Sequence, residues 1–418
     1  MSEAPAKTAK RPTFREHVEA LVDPGSYVPA QHFSEGMDEV SDTDGGEALI
    51  DGRPVTVGRS GHVVRRALNR RQPYVAISSG TGGLARGGRR NLGVLDTVWG
   101  MSGGPMNTEM ASRNRDIPVI SALVHHSFGD SSFFAGMSDY VVQLKGACLA
   151  LTGPRVLAVG TSEQVTMEEL GGTEVHRRNG QADTIAESLD EVYAAIRRFL
   201  SFLPTAAGQP LPVTAPGPHP DLKPGPDPRE LIDGLVDRAS FFELRRDFAP
   251  ALVTGLARLD GLPVGVLAIH GAFAADECLK ATRLVCTCDA FGLPLVFLID
   301  SAGPSAEPGA ISRAMMLAQA VQLAEVPKCW VVTGRALGAG LLVTGPARIA
   351  TDLVIAWPGA RAGWDDDAAA AGEHHWAADG IVTPTGTRAT LTAHLGAVLG
   401  PAPVSRPGRT LRTWPVGF

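Results

Sequence analysis

The sequence predicts an α/β protein built from two tandem copies of one unit. Three observations predict it. One string of residues recurs at a constant spacing, strand-like apolar runs alternate with helical ones, and a proline-rich break separates the copies.

Each copy opens on a short amphipathic helix. Residues 15–27 read Arg-Glu-His-Val-Glu-Ala-Leu-Val-Asp-Pro-Gly-Ser-Tyr, and residues 229–241 read Arg-Glu-Leu-Ile-Asp-Gly-Leu-Val-Asp-Arg-Ala-Ser-Phe, with six identities. The helices are expected to end near Asp23 and Asp237. A hairpin follows in each copy, with Asp51-Gly52 and Asp260-Gly261 at its turn, because Asp-Gly supplies the two positive φ angles of a tight turn. Next, a strand runs into a Gly/Ser-rich loop twice, from Tyr74 to Gly83 and from Leu295 to Gly303. Then Ile117-Pro118 opens a strand expected to run to Phe128-Gly129-Asp130-Ser131, and Val326-Pro327 opens one running to Leu337-Gly338-Ala339-Gly340. The hairpin turns and these loops are both offset by 209 residues, so the halves share a spacing and not only a composition. The first copy closes on a helix whose apolar face is Val192, Ile196, Phe199, Leu200 and Leu203, with Arg197 and Arg198 outside it.

Residues 204–228 hold nine prolines, which restrict φ and remove backbone donors, so the segment reads as a linker. The expected organisation is a disordered tail at 1–12, a first domain at 13–203, the linker at 204–228 and a second domain at 229–418.

Composition limits the function. Hydrophobic residues at 44% and charged residues at 20% suit a globular protein, and a net charge of −6 argues against nucleic acid as partner. The start of the chain lacks the apolar core of a signal peptide, and no stretch approaches the ~20 apolar residues of a membrane span. A cytoplasmic location is the expectation. The cysteines (Cys148, Cys278, Cys286, Cys288 and Cys329) lack the spacing of a zinc site or a disulfide framework, so no metal is expected.

The two strand-end loops are the candidate chemistry. A glycine loop leading into a helix N-terminus presents backbone N–H groups to an anion, and glycine lets a ligand come close. Two such loops, Gly129-Asp130 and Gly338-Ala339-Gly340, suit acyl transfer or enolate chemistry, in which a carbonyl oxygen gains charge. Ordinary strand–helix turns would read the same way.

At this point the chain resembles the carboxyltransferase component of biotin-dependent acyl-CoA carboxylases. The resemblance is carried by Leu144-Lys145-Gly146, Leu151-Thr152-Gly153-Pro154, the string from Thr166 to His176, and Ala182-Asp183. In the second half it is carried by Phe248-Ala249, Val253 to Arg258, Cys288 to Phe291, Asp300, Ala356-Trp357-Pro358 and Asp379 to Pro384. It implies two crotonase-like (ClpP/crotonase) β-β-α superhelix domains, the first against acyl-CoA and the second against biotin. It implies a homo- or hetero-oligomer with the active site between subunits, and carboxybiotin on a separate carrier protein made by a separate biotin carboxylase. It places oxyanion loops at Gly129 and Asp130 and at Gly338, Ala339 and Gly340, which would hold the thioester enolate and the biotin ureido oxygen. Gly82, Gly83, Phe128, Ser131 and Leu342 fall at substrate-facing positions, Leu342 where the family tunes acyl-chain choice. The acyl group would be carried on CoA or on an acyl carrier protein.

The chain also departs from the family. It is shorter between Val57 and Pro73 and again after Trp357, and Asp130 stands where a second glycine is usual. His125 and His126 replace small residues. With Asp130 they form a candidate acid–base cluster for a biotin-free reaction such as decarboxylation or thioester hydrolysis. Alternatively one histidine packs under the loop and Asp130 caps the next helix. Three functions follow in order: carboxyltransfer to a small acyl thioester, a biotin-free enzyme on the same fold, and a non-catalytic partner subunit.

Overall fold

A computed structural model gives the structure. It describes residues 11–30, 45–59, 63–78, 110, 114–225, 227–303, 305, 307, 309–338, 340, 352–365, 378–406, 408 and 410–413. The first half runs α1 (Phe14–Leu21), β1 (Val28–Pro29), β2 (Gly45–Ile50), β3 (Arg53–Gly58), α2 (Val64–Arg70), β4 (Tyr74–Ser78), β5 (Val119–Leu123), β6 (Ser127–Phe128), α3 (Asp130–Gly136), β7 (Tyr140–Leu144), β8 (Leu149–Ala150), α4 (Pro154–Thr161), α5 (Met167–Gly171), α6 (Thr173–Asn179), β9 (Thr184–Ala186) and α7 (Leu189–Phe202). The second half runs α8 (Pro228–Leu235), β10 (Phe242–Leu244), β11 (Leu252–Leu259), β12 (Leu262–His270), α9 (Ala275–Phe291), β13 (Leu295–Ser301), α10 (Ala310–Leu323), β14 (Lys328–Leu337), β15 (Leu353–Ala356), β16 (Arg361–Gly363), β17 (Gly380–Ile381) and α11 (Pro384–Leu399).

The repeat is visible as two sheets of the same pattern. One is ordered β1-β2-β3-β4-β5-β7-β9 and the other β10-β11-β12-β13-β14-β15-β17. Each begins with an antiparallel hairpin and continues with parallel strands. The hairpin turns are the Asp-Gly pairs read from the sequence, with φ of 50° and 74° at Asp51 and Gly52 and 56° and 80° at Asp260 and Gly261. Both angles are positive, as a type I′ turn requires. The repeated aspartate after the first helix has a structural task. Asp23 accepts hydrogen bonds from the N–H groups of Asp51 and Gly52, at 2.9 and 2.8 Å. Asp237 does the same for Asp260 and Gly261, at 3.0 and 2.9 Å.

The helix starts follow their caps. Thr13 and Glu16 form a capping box on α1, Ser188 accepts from the Glu191 N–H on α7, and Asp227 caps α8 with Pro228 in its first turn. The predicted apolar face of α7 is buried and stacks Phe199 on Tyr140 at 4.4 Å, a pair worth ~1 kcal/mol beyond its buried area. Helix α9 is buried along nearly its whole length, between the sheet and α10. Its Lys280 donates to the carbonyls of Phe248 and Leu252 at 2.7 Å each, and burial pushes its pKa down to about 8.

The halves share one hydrophobic core, which includes Leu21, Ile77, Phe199, Leu256, Phe291 and Trp330. A buried charge cluster also joins them. Asp183 of the first half takes Arg245 at 2.9 Å and Arg283 at 3.1 Å, both from the second. Between the sheets, residues 204–225 form neither helix nor strand but are packed down, with Leu211 and Leu222 buried and the Thr214 N–H bonded to the Gly261 carbonyl.

One expectation is corrected. The strand expected from Ile117 to Phe128 is two pieces, β5 and β6, with Val124 to His126 outside both. Its counterpart β14 is continuous over ten residues but bulges at the same place. There Ile299 faces Val332 while Ser301 faces Ala336, so three residues of β14 span one of β13. The strand leaves its sheet here in both halves. The first half makes the departure with a break and the second with a bulge.

Candidate active site

Both loops are held by a small parallel ribbon that diverges from the main sheet. In the first half β6 pairs with β8, Phe128 opposite Ala150, and the next N–H, that of Gly129, donates to the Leu151 carbonyl at 3.0 Å. In the second half β14 pairs with β16, Leu337 opposite Gly363, and the Gly338 N–H donates to the Gly363 carbonyl at 3.0 Å. The φ values are 67° at Gly129 and 52° at Gly338, so both chains turn through glycine-favouring backbone at the same step. The segment that replaces the family's usual strip after Trp357 thus still supplies the strand that holds Gly338.

These bonds change the assignment of donors. The N–H groups of Gly129 and Gly338 are already engaged, so neither is an oxyanion donor as it stands. The next N–H in the first loop is that of Asp130, the first residue of α3, which has no intrahelical partner by helix geometry. Gly129 is the cap of α3, which corrects the alternative that Asp130 caps it. The Asp130 side chain, Gly82, Gly83, Ala339 and Leu342 lie outside the described residues. Gly340 is packed on Gly303, where an added Cβ would come within 3.1 Å of the Gly303 backbone. A side chain there would be crowded.

Serines stiffen the first loop. Ser78 donates to Ser127 at 3.2 Å, Ser127 to Ser131 at 2.7 Å, and Ser131 to the Phe128 carbonyl at 3.1 Å. The Ser131 hydroxyl, expected to face substrate, is part of this ladder. Phe128 is half-buried and stacks on His126 at 6.3 Å. The Nδ1 atom of His126 is buried without a hydrogen-bond partner. Burial, with the nearby charges of Arg11 and His126, holds the His125 imidazole below its usual pKa. Burial thus disfavours the charged form of His125 at the loop.

The second half contains a histidine–carboxylate contact that sequence reasoning did not single out. His270 ends β12 and Asp300 lies near the end of β13, opposite each other in register. His270 Nδ1 lies 3.2 Å from Asp300 Oδ2, and the Arg335 N–H donates to Asp300 Oδ1 at 2.8 Å. Both side chains line a cleft of about 310 Å³ with Ala268, Leu298, Thr333 and Trp357. The available signal was positional: charged residues at the carboxyl ends of adjacent buried parallel strands, where α/β sheets place ligands. A second cleft of about 230 Å³ contains Arg53 and Arg258, but both guanidinium groups bind backbone carbonyls and serve packing.

All five cysteines are buried and unpaired. Among the described residues no group of three His, Cys, Asp or Glu side chains is placed to hold a metal, and no helix is long and apolar enough to cross a membrane.

Comparison with known proteins agrees with this architecture. Residues 50–371 match the carboxyl transferase domain. The chain is 30% identical over 408 residues to the biotin-dependent acetyl-/propionyl-coenzyme A carboxylase beta5 subunit of Mycobacterium leprae, covering 84% of this chain and 73% of that protein. It is 29% identical over 400 residues to the propionyl-CoA carboxylase beta chain of Cereibacter sphaeroides, covering 83% of this chain and 76% of that one. Among solved structures, transcarboxylase 12S with methylmalonyl-coenzyme A and methylmalonic acid bound superposes with a TM-score of 0.78 at 25% identity, covering 95% of this chain and 92% of that one. The two sheets are thus tandem crotonase-like domains, and the chain belongs to the carboxyl transferase domain family.

Proposed function

We propose that the protein is the carboxyltransferase subunit of an acyl-CoA carboxylase and acts on a small acyl thioester. The observation that carries this is the equivalence of the two loops. Each ends a parallel strand, turns through a positive-φ glycine, and has that glycine's N–H tied to a ribbon carbonyl. In the first loop, tying the Gly129 N–H constrains the direction of the Asp130 N–H that follows. In the first domain the N–H of Asp130 would stabilise the thioester enolate oxygen. In the second, Ala339 and Gly340 would receive the ureido oxygen of biotin. One such donor is worth about 3–4 kcal/mol of barrier. Phe128, with Gly82 and Gly83, would flank the acyl thioester, and Leu342 would limit the acyl chain.

The residues present fit a carrier-borne biotin in one respect. Gly303 and Gly340 pack backbone to backbone, so an added Cβ on Gly303 would come within 2.9 Å of the Gly340 nitrogen, and a flat ring can approach a surface without side chains. When bound, carboxylated biotin supplies the carboxyl group. The chain's own residues orient the thioester, exclude water and stabilise the developing oxyanion. A biotin carboxylase and a biotin carrier are the proposed partners, in the cytoplasm, and further copies of this chain are the proposed assembly. The exposed apolar residues of α4, Val156 at 60% and Val159 at 88%, offer a face for the last.

The test is product analysis by mass spectrometry. Acetyl-, propionyl- and butyryl-CoA are incubated with the protein and free carboxybiotin. Carboxylated product formed only with carboxybiotin is expected. Failure with every acyl-CoA, under conditions where a known carboxyltransferase turns over, overturns the reading.

A further inference from the structure

Two half-buried positive charges at the seam between the halves lack a counter-ion. The Arg53 guanidinium donates to the Leu200 and Leu203 carbonyls at 2.7 and 2.8 Å and reaches the Thr205 hydroxyl at 3.5 Å. The Arg258 guanidinium donates to the carbonyls of Pro212, Gly261 and Ser201 at 2.7, 3.0 and 2.7 Å. Packing explains these bonds, but carbonyls do not cancel a full charge. Among the described residues neither arginine has a carboxylate oxygen within 4.0 Å. The carboxylates that act on them from further away are Asp51 and Asp237. Each is committed elsewhere, Asp51 to Arg197 at 2.7 Å and Asp237 to Arg388 at 2.5 Å.

The C-terminal end of α7 supplies some negative charge through the Leu200 and Ser201 carbonyls. A helix end is worth about half a unit, so two guanidiniums leave an excess of roughly one and a half positive charges. Buried charge is ordinarily matched, which points to an anion that belongs here. Both groups line one cleft of about 230 Å³, together with Arg197. Much of the remaining wall is apolar, including Val55, Leu200 and Val213. A guanidinium carries five N–H groups, and the bonds above use three on each arginine, which leaves two on each for a ligand. The cleft lies where β3 begins at Arg53 and β4 follows Pro73, at the amino ends of parallel strands. The glycine loops follow the carboxyl ends of β6 and β14, away from this edge.

We propose that this cleft binds a small carboxylic acid with an apolar chain, as a ligand separate from the thioester. A carboxylate accepts parallel N–H bonds from a guanidinium fork and brings one negative charge to the excess. Its chain lies on the apolar wall, where a hydrated inorganic anion gains nothing. Arg53 belongs to the first half and Arg258 to the second, and both hold the end of α7. The bound acid therefore bridges the halves and stabilises the folded chain.

The experiment is calorimetric titration of the full-length protein with butyrate, hexanoate and octanoate in low-chloride buffer. Inorganic phosphate and chloride are titrated alongside. One saturable site per chain is expected, with affinity rising about fourfold for each added CH2 that the wall covers. The melting temperature should rise with octanoate concentration. Arg53→Gln should weaken octanoate about tenfold or more, the usual worth of a hydrogen bond to a charged group. Val213→Trp fills the cleft from its exposed rim, leaves both arginines in place, and should abolish binding. Arg246→Gln, at an exposed position away from the cleft, should leave it unchanged. Thermal melting confirms that each variant is folded, and Val213→Trp decides if Arg53→Gln is not. Absence of saturable binding by all three acids overturns the proposal. So does equal octanoate binding in wild type and folded Val213→Trp. Phosphate or chloride binding as tightly as octanoate overturns it too, because the apolar wall would then have no part.

Discussion

The two strand ends that carry the loops share a backbone and differ in what dresses it. Residues 124–126 of the first half and 333–335 of the second lie at the same offset, at the point where the strand leaves its sheet. In the second half the departure is a bulge whose Gly334 and Arg335 enclose Asp300. In the first half it is a break occupied by His125 and His126, half-buried rings, one with an unpartnered Nδ1. The lesson is that the repeat preserves the direction of the loop while the residues just before it set its charge. A different histidine–carboxylate contact, His270 with Asp300 at 3.2 Å, stands at the strand ends of the second half.

The same contrast runs through the aspartates that brace the hairpin turns. Asp237 is buried and also pairs with Arg388 at 2.5 Å, whereas Asp23 is more exposed and pairs with Arg197 at 3.4 Å. Asp237→Ala would leave a buried arginine and two turn N–H groups without their partner, and should cost about 3–5 kcal/mol in chemical unfolding. A loss under 1 kcal/mol would show that the turn holds without it. The next largest effect is on catalysis. Gly129→Val forces a β-branched residue to a φ of 67°, and should lower carboxyl transfer about 100-fold or more at saturating substrate. The strain itself should cost roughly 1–3 kcal/mol of stability. If the rate held, the first loop would not be part of the site.

Acidification should separate the halves in a further way. His176 in the first half is buried on Gln143, and desolvation lowers its pKa to about 4. A folded pKa below the unfolded value means that the stabilisation is complete above ~6.5 and is lost as pH falls toward 4. His17 and His125 are lowered by burial in the same direction. Unfolding free energy should therefore fall between these limits by about 3 kcal/mol, and His176→Gln should flatten the slope. An unchanged slope would remove His176 as the cause. The smallest effect is Asp23→Ala, about 1 kcal/mol, because water can replace part of what the carboxylate does.

Much of this architecture was legible in the sequence. The Asp-Gly turns, the apolar face of α7 and the 209-residue offset are local patterns, and local patterns survive in the fold. The family string made the crotonase-like domains readable as well. The strand break at residues 124–126 was not readable, because an apolar run does not say where a strand changes sheet. The engagement of the Gly129 and Gly338 N–H groups depends on Leu151 and Gly363, which are remote in sequence. The His270–Asp300 contact likewise joins residues 30 apart through strand register.

On the proposed reading, carboxyl transfer requires both glycine loops. The most direct test transfers a 13C-labelled carboxyl group from carboxybiotin to propionyl-CoA and compares wild type with Gly129→Val and Gly338→Val. Label in methylmalonyl-CoA from wild type, with loss of about 100-fold in both folded variants, is the predicted result. Transfer at the wild-type rate in either folded variant would contradict the account.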